Sequence, residues 1–486
     1  MKKYPEPKKF DRDIVVIGAG AGGLVSSLIG ATLNAKVSLI EKHKMGGDCL
    51  NTGCVPSKAL IRSAKWLYHL KRAEEFGFKS TNIEYDFADV MERIQRIIKT
   101  IEPHDSVERF TDLGVDCIIG EAKITSPYTV EVNNKTLTTR NIIIAAGAQP
   151  FVPPILGIED MDYLTSDNVW EIRKLPKRLV ILGGGPIGCE LTQAFARLGS
   201  QVTQIEMMPH IMGREDQEVS EFITNRFRNE GIDVLVEHTA KSFTIKNDQK
   251  IIVCEHNDKK VEIEFDELLV AVGRTARVEN YGLDDLRINL TKRKTIEVND
   301  FLQTNYPNIY AVGDVAGPYQ FTHTAAHMAW YAAVNSLFGG FKKFRVDYSV
   351  IPWATYTDPE VARVGLNEQE AKEKGIAYEV TKYDLEDLDR AITDEEAHGF
   401  VKVLTVPGKD KILGVTIMGE HAGDLIAEYV FAMKQKLGLN KILGTIHIYP
   451  TLAEANKYAA GEWKKAHAPR WILKMLERYF SWRRGE

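Results

Sequence analysis

Two cysteines separated by four residues lie in the segment Gly46-Gly47-Asp48-Cys49-Leu50-Asn51-Thr52-Gly53-Cys54-Val55-Pro56-Ser57-Lys58. Thiols this close can form a disulfide, and a disulfide beside a redox group stores two electrons rather than stapling a fold. An undistorted helix turns residues five positions apart about 140° away from each other. Bridging Cys49 to Cys54 therefore demands an irregular first helical turn, which Gly53 permits. The remaining cysteines, Cys117, Cys189 and Cys254, sit in apolar or mixed runs and read as packing residues.

The elements around the pair repeat. A short apolar strand over 13–17 runs into Gly18-Ala19-Gly20-Ala21-Gly22-Gly23, a helical stretch to residue 33, and a second strand over 36–40 that ends at Glu41. This is the strand–turn–helix–strand–acid pattern of a dinucleotide fold. Gly18 makes the tight turn, Gly20 lets a pyrophosphate approach the backbone, and Gly23 lets the helix pack on the strand. The same pattern returns 165 residues later. A strand over 179–182 leads to Gly183, Gly185 and Gly188, then a helix over 190–198 and a strand over 201–205 closed by Glu206. Gly18 to Glu41 and Gly183 to Glu206 both span 23 residues. One glycine fingerprint is weak; two in matching register predict two bound dinucleotides. Glu206 favours NAD, because its carboxylate bonds a free 2′-hydroxyl and repels a 2′-phosphate, and Met207-Met208-Pro209-His210 supply no cation for that phosphate.

The thirteen-residue cysteine segment resembles the redox-active disulfide of the flavoprotein disulfide reductases, a family that includes dihydrolipoamide dehydrogenase, glutathione reductase and mercuric reductase. The first nucleotide unit runs directly into the disulfide, so its cofactor is expected to be FAD, with NAD at the second. The flavin set is then Gly18, Gly20, Gly23, Glu41, Lys42, Gly47, Ala146, Gly147, Asp314, Thr324 and Ala325. Asp314 closes a string, 304–314, that resembles the family's second flavin motif, where that position binds the ribityl chain. A helix beginning near His323 would aim its N-terminus at the flavin. The NAD set is Gly183, Gly185, Gly188, Glu206, Gly273 and Arg274; read without the family, Arg274 is a surface arginine after a buried strand. By resemblance, Cys54 faces the flavin, Cys49 exchanges with substrate, and Lys58 pairs with Glu190. On its own, Glu190 reads as a first-turn acid that favours the helix dipole.

The resemblance implies an α/β architecture of two Rossmann-like domains with an α+β dimerisation domain. The expected boundaries are 1–157 with 287–345 for FAD, 158–286 for NAD, 346–465 for the interface, and 466–486 for a basic, aromatic C-terminal helix. It implies a homodimer in which the interface domain delivers an acid–base residue to the other subunit's disulfide. At that position the family pattern of histidine and proline, then glutamate, departs: Pro450 and Glu454 are in place, but Tyr449 stands where histidine is expected, with His447 two residues upstream. A phenol with a pKa near 10 is a poor proton shuttle at neutral pH. A nearby Glu454 carboxylate would raise it further. Mercuric reductases use tyrosine hereabouts but carry a C-terminal cysteine pair; this chain has no cysteine after Cys254.

Length and composition set the remaining bounds. At 486 residues the chain needs several cores. A net charge of −5 gives no overall attraction to nucleic acid. Five cysteines make no disulfide framework, and the N-terminus lacks an apolar signal segment, so a cytoplasmic enzyme without a metal site is expected. Electrons are expected to pass from NADH through FAD and the Cys49–Cys54 disulfide to an unidentified small-molecule or protein-bound disulfide or dithiol, or another acceptor; the alternatives are dithiol oxidation with NAD, metal-ion or quinone reduction, and a non-catalytic redox-sensing flavoprotein subunit. The tail contacts its own dimer, a membrane surface or a partner protein. The Glu206 reading predicts NADH preferred over NADPH by roughly tenfold or more in kcat/KM, about 1.4 kcal/mol; equal efficiencies would contradict it.

Overall fold

The computed structural model describes residues 4–79 and 83–486, so the first three residues of the N-terminal segment read for targeting lie outside the described part. The chain forms two compact units, Met1–Glu74 with Lys79–Ile211 and Arg228–Asp347, and Glu75–Phe78 with Met212–Phe227 and Tyr348–Glu486.

In the first unit, strand β1 (Arg12–Ile17) crosses through helix α1 (Ala21–Thr32) to strand β2 (Val37–Glu41). The two strands run parallel with Ile17 opposite Ile40. Both are buried through their apolar runs, as parallel strands covered on two faces must be. Val115–Ile119 extends the sheet beyond β2. On the other side the long strand Lys135–Ile144 pairs antiparallel with Thr129–Val132 over its first half and parallel with β1 over its second. Ile309–Ala311 then joins Lys135–Ile144, so the chain returns to the first sheet after completing the second nucleotide unit. It continues into the helix Thr322–Phe338, which packs on α1.

The second nucleotide unit repeats this layout. Arg178–Leu182 and Gln201–Ile205 pair parallel with Leu182 opposite Ile205, flanked by Asp233–Leu235 and Glu267–Val270. Its helix is Pro186–Arg197, beginning four residues earlier than expected because Pro186, with its fixed φ, occupies the first helical turn. Glu190 therefore lies beyond the first turn, and the helix-dipole account of it is corrected.

The C-terminal unit is a five-stranded antiparallel sheet in the order Pro352–Thr355, Glu360–Gly365, Ile412–Gly419, Phe400–Thr405, Glu379–Asp384. The helix Ala422–Lys434 covers it, and the chain leaves the helix as Lys436 takes a left-handed conformation. Phe400–Thr405 is buried throughout, and Lys402 on it meets Asp216, Glu218 at 2.5 Å and Glu368 at 3.2 Å. Burial works against the Lys402 charge, and these carboxylates outweigh it and hold its pKa up. Asp216 and Glu218 belong to Met212–Phe227, a segment that sequence order puts in the NAD-binding domain but that packs within this unit. That cation, already ion-paired, occupies the cluster of Asp216, Glu218 and Glu368, the group among the described residues spaced to hold a metal ion.

Candidate active site

The two thiols lie on separate helices. Helix α2 (Gly47–Asn51) carries Cys49, and helix α3 (Cys54–Lys71) begins at Cys54. Gly53 breaks them apart at φ −121° and ψ −107°. A Cβ there would sit 2.9 Å from the backbone oxygen of Asp48, so close approach demands glycine. This is the irregular turn the spacing requires. Cys49 and Cys54 lie close enough for each thiol to act on the other's acidity.

The pair is electrostatically unequal. The hydrogen bond from Cys49 pushes the Cys54 pKa down to about 6 against the opposing effect of burial, with help from Thr322 and the Lys58 charge. The Cys49 thiol is pushed far up by that same hydrogen bond and by burial. Cys54 Sγ lies 3.5 Å from Thr322 Oγ1, at the first residue of Thr322–Phe338, and Cys54 is itself the first residue of α3. Two helix N-termini thus converge on one sulfur, which favours a thiolate there. Lys58 Nζ bonds Glu190 Oε2 at 2.7 Å, with the Glu190 side chain only 7% exposed. A buried carboxylate needs such a cation, so the pair holds Lys58 in place beside the thiol.

The first fingerprint has the form of a dinucleotide cradle. Gly18 has φ +100°, and a Cβ would strike the Ala145 carbonyl. Helix α1 starts at an N-cap without a side-chain hydrogen bond, leaving its N–H groups for a pyrophosphate. Glu41 accepts from the Ala19 and His43 amides at 2.7 Å each, which fixes its carboxylate and leaves lone pairs for ribose hydroxyls. The second fingerprint copies this bond for bond. Gly183 has φ +121°, the N-cap Gly185 has open space at its Cβ position, and Glu206 accepts from Gly184 N at 2.6 Å and Met208 N at 2.8 Å. Both sites fit a dinucleotide. The exposed neighbours Met207 and Met208 offer no charge for a 2′-phosphate.

The other expected residues divide. Asp314 lies in a short 3₁₀ turn (Gly313–Val315), and burial pushes its pKa up to about 6. Thr324 and Ala325 are buried in the first turn of Thr322–Phe338, with the Thr324 hydroxyl donating to Phe321 O. Ala146 and Gly147 follow the end of Lys135–Ile144, Gly147 at φ +70°. Gly47, at φ +57°, opens α2 against Gly20. Lys42 instead pairs with Glu121 at the surface, at 2.5 Å. Arg274, after Gly273, is not a surface arginine: it binds Asp48 and the Ala148 carbonyl, and its charge acts on Asp314. It ties the chain of the second nucleotide unit to the residue preceding Cys49.

In the C-terminal unit Tyr449 is exposed, and its hydroxyl donates to Asp389 at 2.9 Å. That bond, more than Glu454, raises its pKa. Glu454 is committed to the Thr451 amide and the Tyr458 hydroxyl, both at 3.2 Å. The four side chains line a cleft of about 200 Å³ with Tyr383 and Asp387. His447 points into a different set of bonds: its ring meets Thr445 O at 3.1 Å and Glu428 at 3.1 Å, with its side chain 7% exposed. Both ring nitrogens are occupied, which suits a structural role. Asp389, Glu428, Asp48 and Thr322 were not singled out in the sequence. Thr322 and Asp48 adjoin recognised motifs, whereas Asp389 lies 60 positions from Tyr449 with no local signal.

The family model described as pyridine nucleotide-disulphide oxidoreductase matches residues 12–329, and its dimerisation domain matches 351–460. Mercuric reductase of Lysinibacillus sphaericus is 36% identical over 449 residues, 92% of this chain and 82% of that protein. Dihydrolipoyl dehydrogenase of Chlamydia pneumoniae is 36% identical over 447 residues, 91% of this chain and 95% of that one. The Cu(II) complex of the HOCl-induced flavoprotein disulfide reductase RclA from Escherichia coli has a TM-score of 0.82 at 26% identity, covering 92% of this chain and 99% of that one.

Replacing Lys58 tests the charge arrangement at the thiols. Lys58→Met removes a cation and leaves Glu190 uncompensated, so the pH midpoint of Cys54 alkylation by iodoacetamide rises by about one. Lys58→Met/Glu190→Gln shows a smaller rise. An unchanged midpoint in both variants would mean that Lys58 does not act on the sulfur.

Proposed function

This chain belongs to the pyridine nucleotide-disulphide oxidoreductases, and we propose that it takes two electrons from NADH and passes them through Cys49 and Cys54 to an acceptor needing no imidazole relay. It is an FAD-dependent enzyme with NAD(P)H as its nicotinamide partner, and it dimerises through the matched C-terminal domain. FAD bound at the first fingerprint supplies a two-electron relay between nicotinamide and sulfur. The chain's own residues do the rest. Gly18, Gly20 and Glu41 bind the FAD dinucleotide, Asp314 its ribityl chain, and Gly183, Gly185 and Glu206 the NADH.

Opening the disulfide with two electrons and one proton gives a Cys54 thiolate and a Cys49 thiol. The unequal acidity of the pair supports that assignment: Cys54 holds the charge against Lys58 and Thr322, and Cys49 keeps the proton and meets the acceptor. We place the enzyme in the cytoplasm, where the pair is reduced at each turnover, and Tyr449 beside the thiols of the other subunit.

The observation that carries the choice of acceptor is the bond from the Tyr449 hydroxyl to Asp389. A phenol held to a carboxylate keeps its proton, so it neither accepts one from a dithiol nor releases one readily to a leaving thiolate. Dihydrolipoyl oxidation, the activity in the name of one relative, depends on that traffic, which disfavours it here. NADH oxidation followed with lipoamide, glutathione disulfide, quinones and Hg(II) distinguishes the acceptors. Lipoamide turnover by the unmodified enzyme is expected to be slow. Tyr449→His, flanked by Asp389 and Glu454, should raise it by about 10²-fold. Fast lipoamide turnover that survives Tyr449→Phe would overturn this reading.

A further inference from the structure

The helix Arg470–Arg484 is a feature that nucleotide and thiol chemistry leave unused. It follows Glu454–Ala466, whose Trp463 is buried in the C-terminal core, and none of its own residues is buried. It also lies beyond residue 460, where the match to the dimerisation domain ends.

At about 100° per residue the helix separates into two arcs. Trp471, Met475, Trp482 and Tyr479 begin an apolar arc that Leu476, Phe480 and Leu473 complete, roughly 200° wide. These side chains are between 38% and 74% exposed, far more contiguous apolar surface than a lone helix needs for stability. Arg470, Lys474, Arg478 and Arg484 share the opposite arc with Ser481 and a single acid, Glu477. Arg483 interrupts the apolar arc only in the last turn, where its guanidinium lies 5.9 Å from the Tyr479 ring centroid. Residues 470–486 carry five cations against two carboxylates in a chain whose net charge is −5.

We propose that this helix is a peripheral anchor lying in the interface of an anionic lipid membrane. An in-plane helix needs a wide apolar arc to enter the acyl boundary, cations level with the headgroups, and low net hydrophobicity, and Arg470–Arg484 has each. Its two tryptophans suit the headgroup level. Arginine and lysine stems can lie along the apolar boundary while their charges reach phosphate. No helix among the described residues is long and apolar enough to cross a membrane, so attachment is at the surface. Charge argues against a second copy as the occupant: packing two such helices together would set cation against cation, whereas anionic lipid neutralises the set.

Holoenzyme is centrifuged with vesicles of phosphatidylcholine mixed with phosphatidylglycerol, and with vesicles of phosphatidylcholine alone. Co-sedimentation with the mixed vesicles is expected, weakening roughly tenfold in high salt and on the neutral vesicles. Deleting residues 469–486, or combining Arg470→Glu, Lys474→Glu and Arg478→Glu, should abolish it while NADH oxidation in solution stays unchanged. Absence of binding to either vesicle, or equal binding to both, overturns the proposal. Conversion of the dimer to monomer by the deletion also overturns it, since a second copy would then cover the apolar arc.

Discussion

Two thiols five positions apart face away from each other on a regular helix, and the redox centre exists only because α2 and α3 are separate helices joined at Gly53. The break costs backbone hydrogen bonds that a continuous helix would have made. In exchange it brings Cys49 close enough to Cys54 for the two thiols to act on each other's acidity and leaves Cys54 at the head of an 18-residue helix. A second helix, Thr322–Phe338, delivers its own N-terminus to the same sulfur. The asymmetry of the two thiols follows from this placement, since Cys54 heads the longer helix and takes the Lys58 charge.

The remainder of the first unit keeps that placement rigid. Arg274 binds Asp48, one residue before Cys49, and Glu190 on Pro186–Arg197 holds Lys58. Both ties run from the second nucleotide unit to the thiol helices. The second nucleotide unit is thus mechanically connected to the sulfur pair. The duplication extends to single hydrogen bonds, because each terminal glutamate accepts an amide from its own glycine turn. That bond fixes the orientation of each carboxylate within its own turn.

Legibility in the sequence tracked how local each constraint is. The glycine turns, their strands and the acids 23 residues on were readable because backbone sterics act over a few residues, and the break at Gly53 followed from helical geometry alone. Pairings set by tertiary contact were not readable from residues alone. Nothing near Tyr449 announces Asp389, nothing near Lys402 announces Asp216, and Arg274 read alone is a surface arginine. His447 shows the converse: it lies two residues from the acid–base position in sequence, but Glu428 on the helix Ala422–Lys434 claims its ring. Pro186–Arg197 starts within the glycine turn rather than after Gly188, because Pro186 is a strong helix-start residue.

The account stands on the inequality of Cys49 and Cys54. It is measured directly by reducing the holoenzyme and determining, by mass spectrometry of each cysteine, the rate of iodoacetamide alkylation across pH. The account predicts that Cys54 alkylation rises with a midpoint of about 6 while Cys49 stays protected until alkaline pH. Two thiols titrating together near the ordinary value, or Cys49 titrating first, would contradict it.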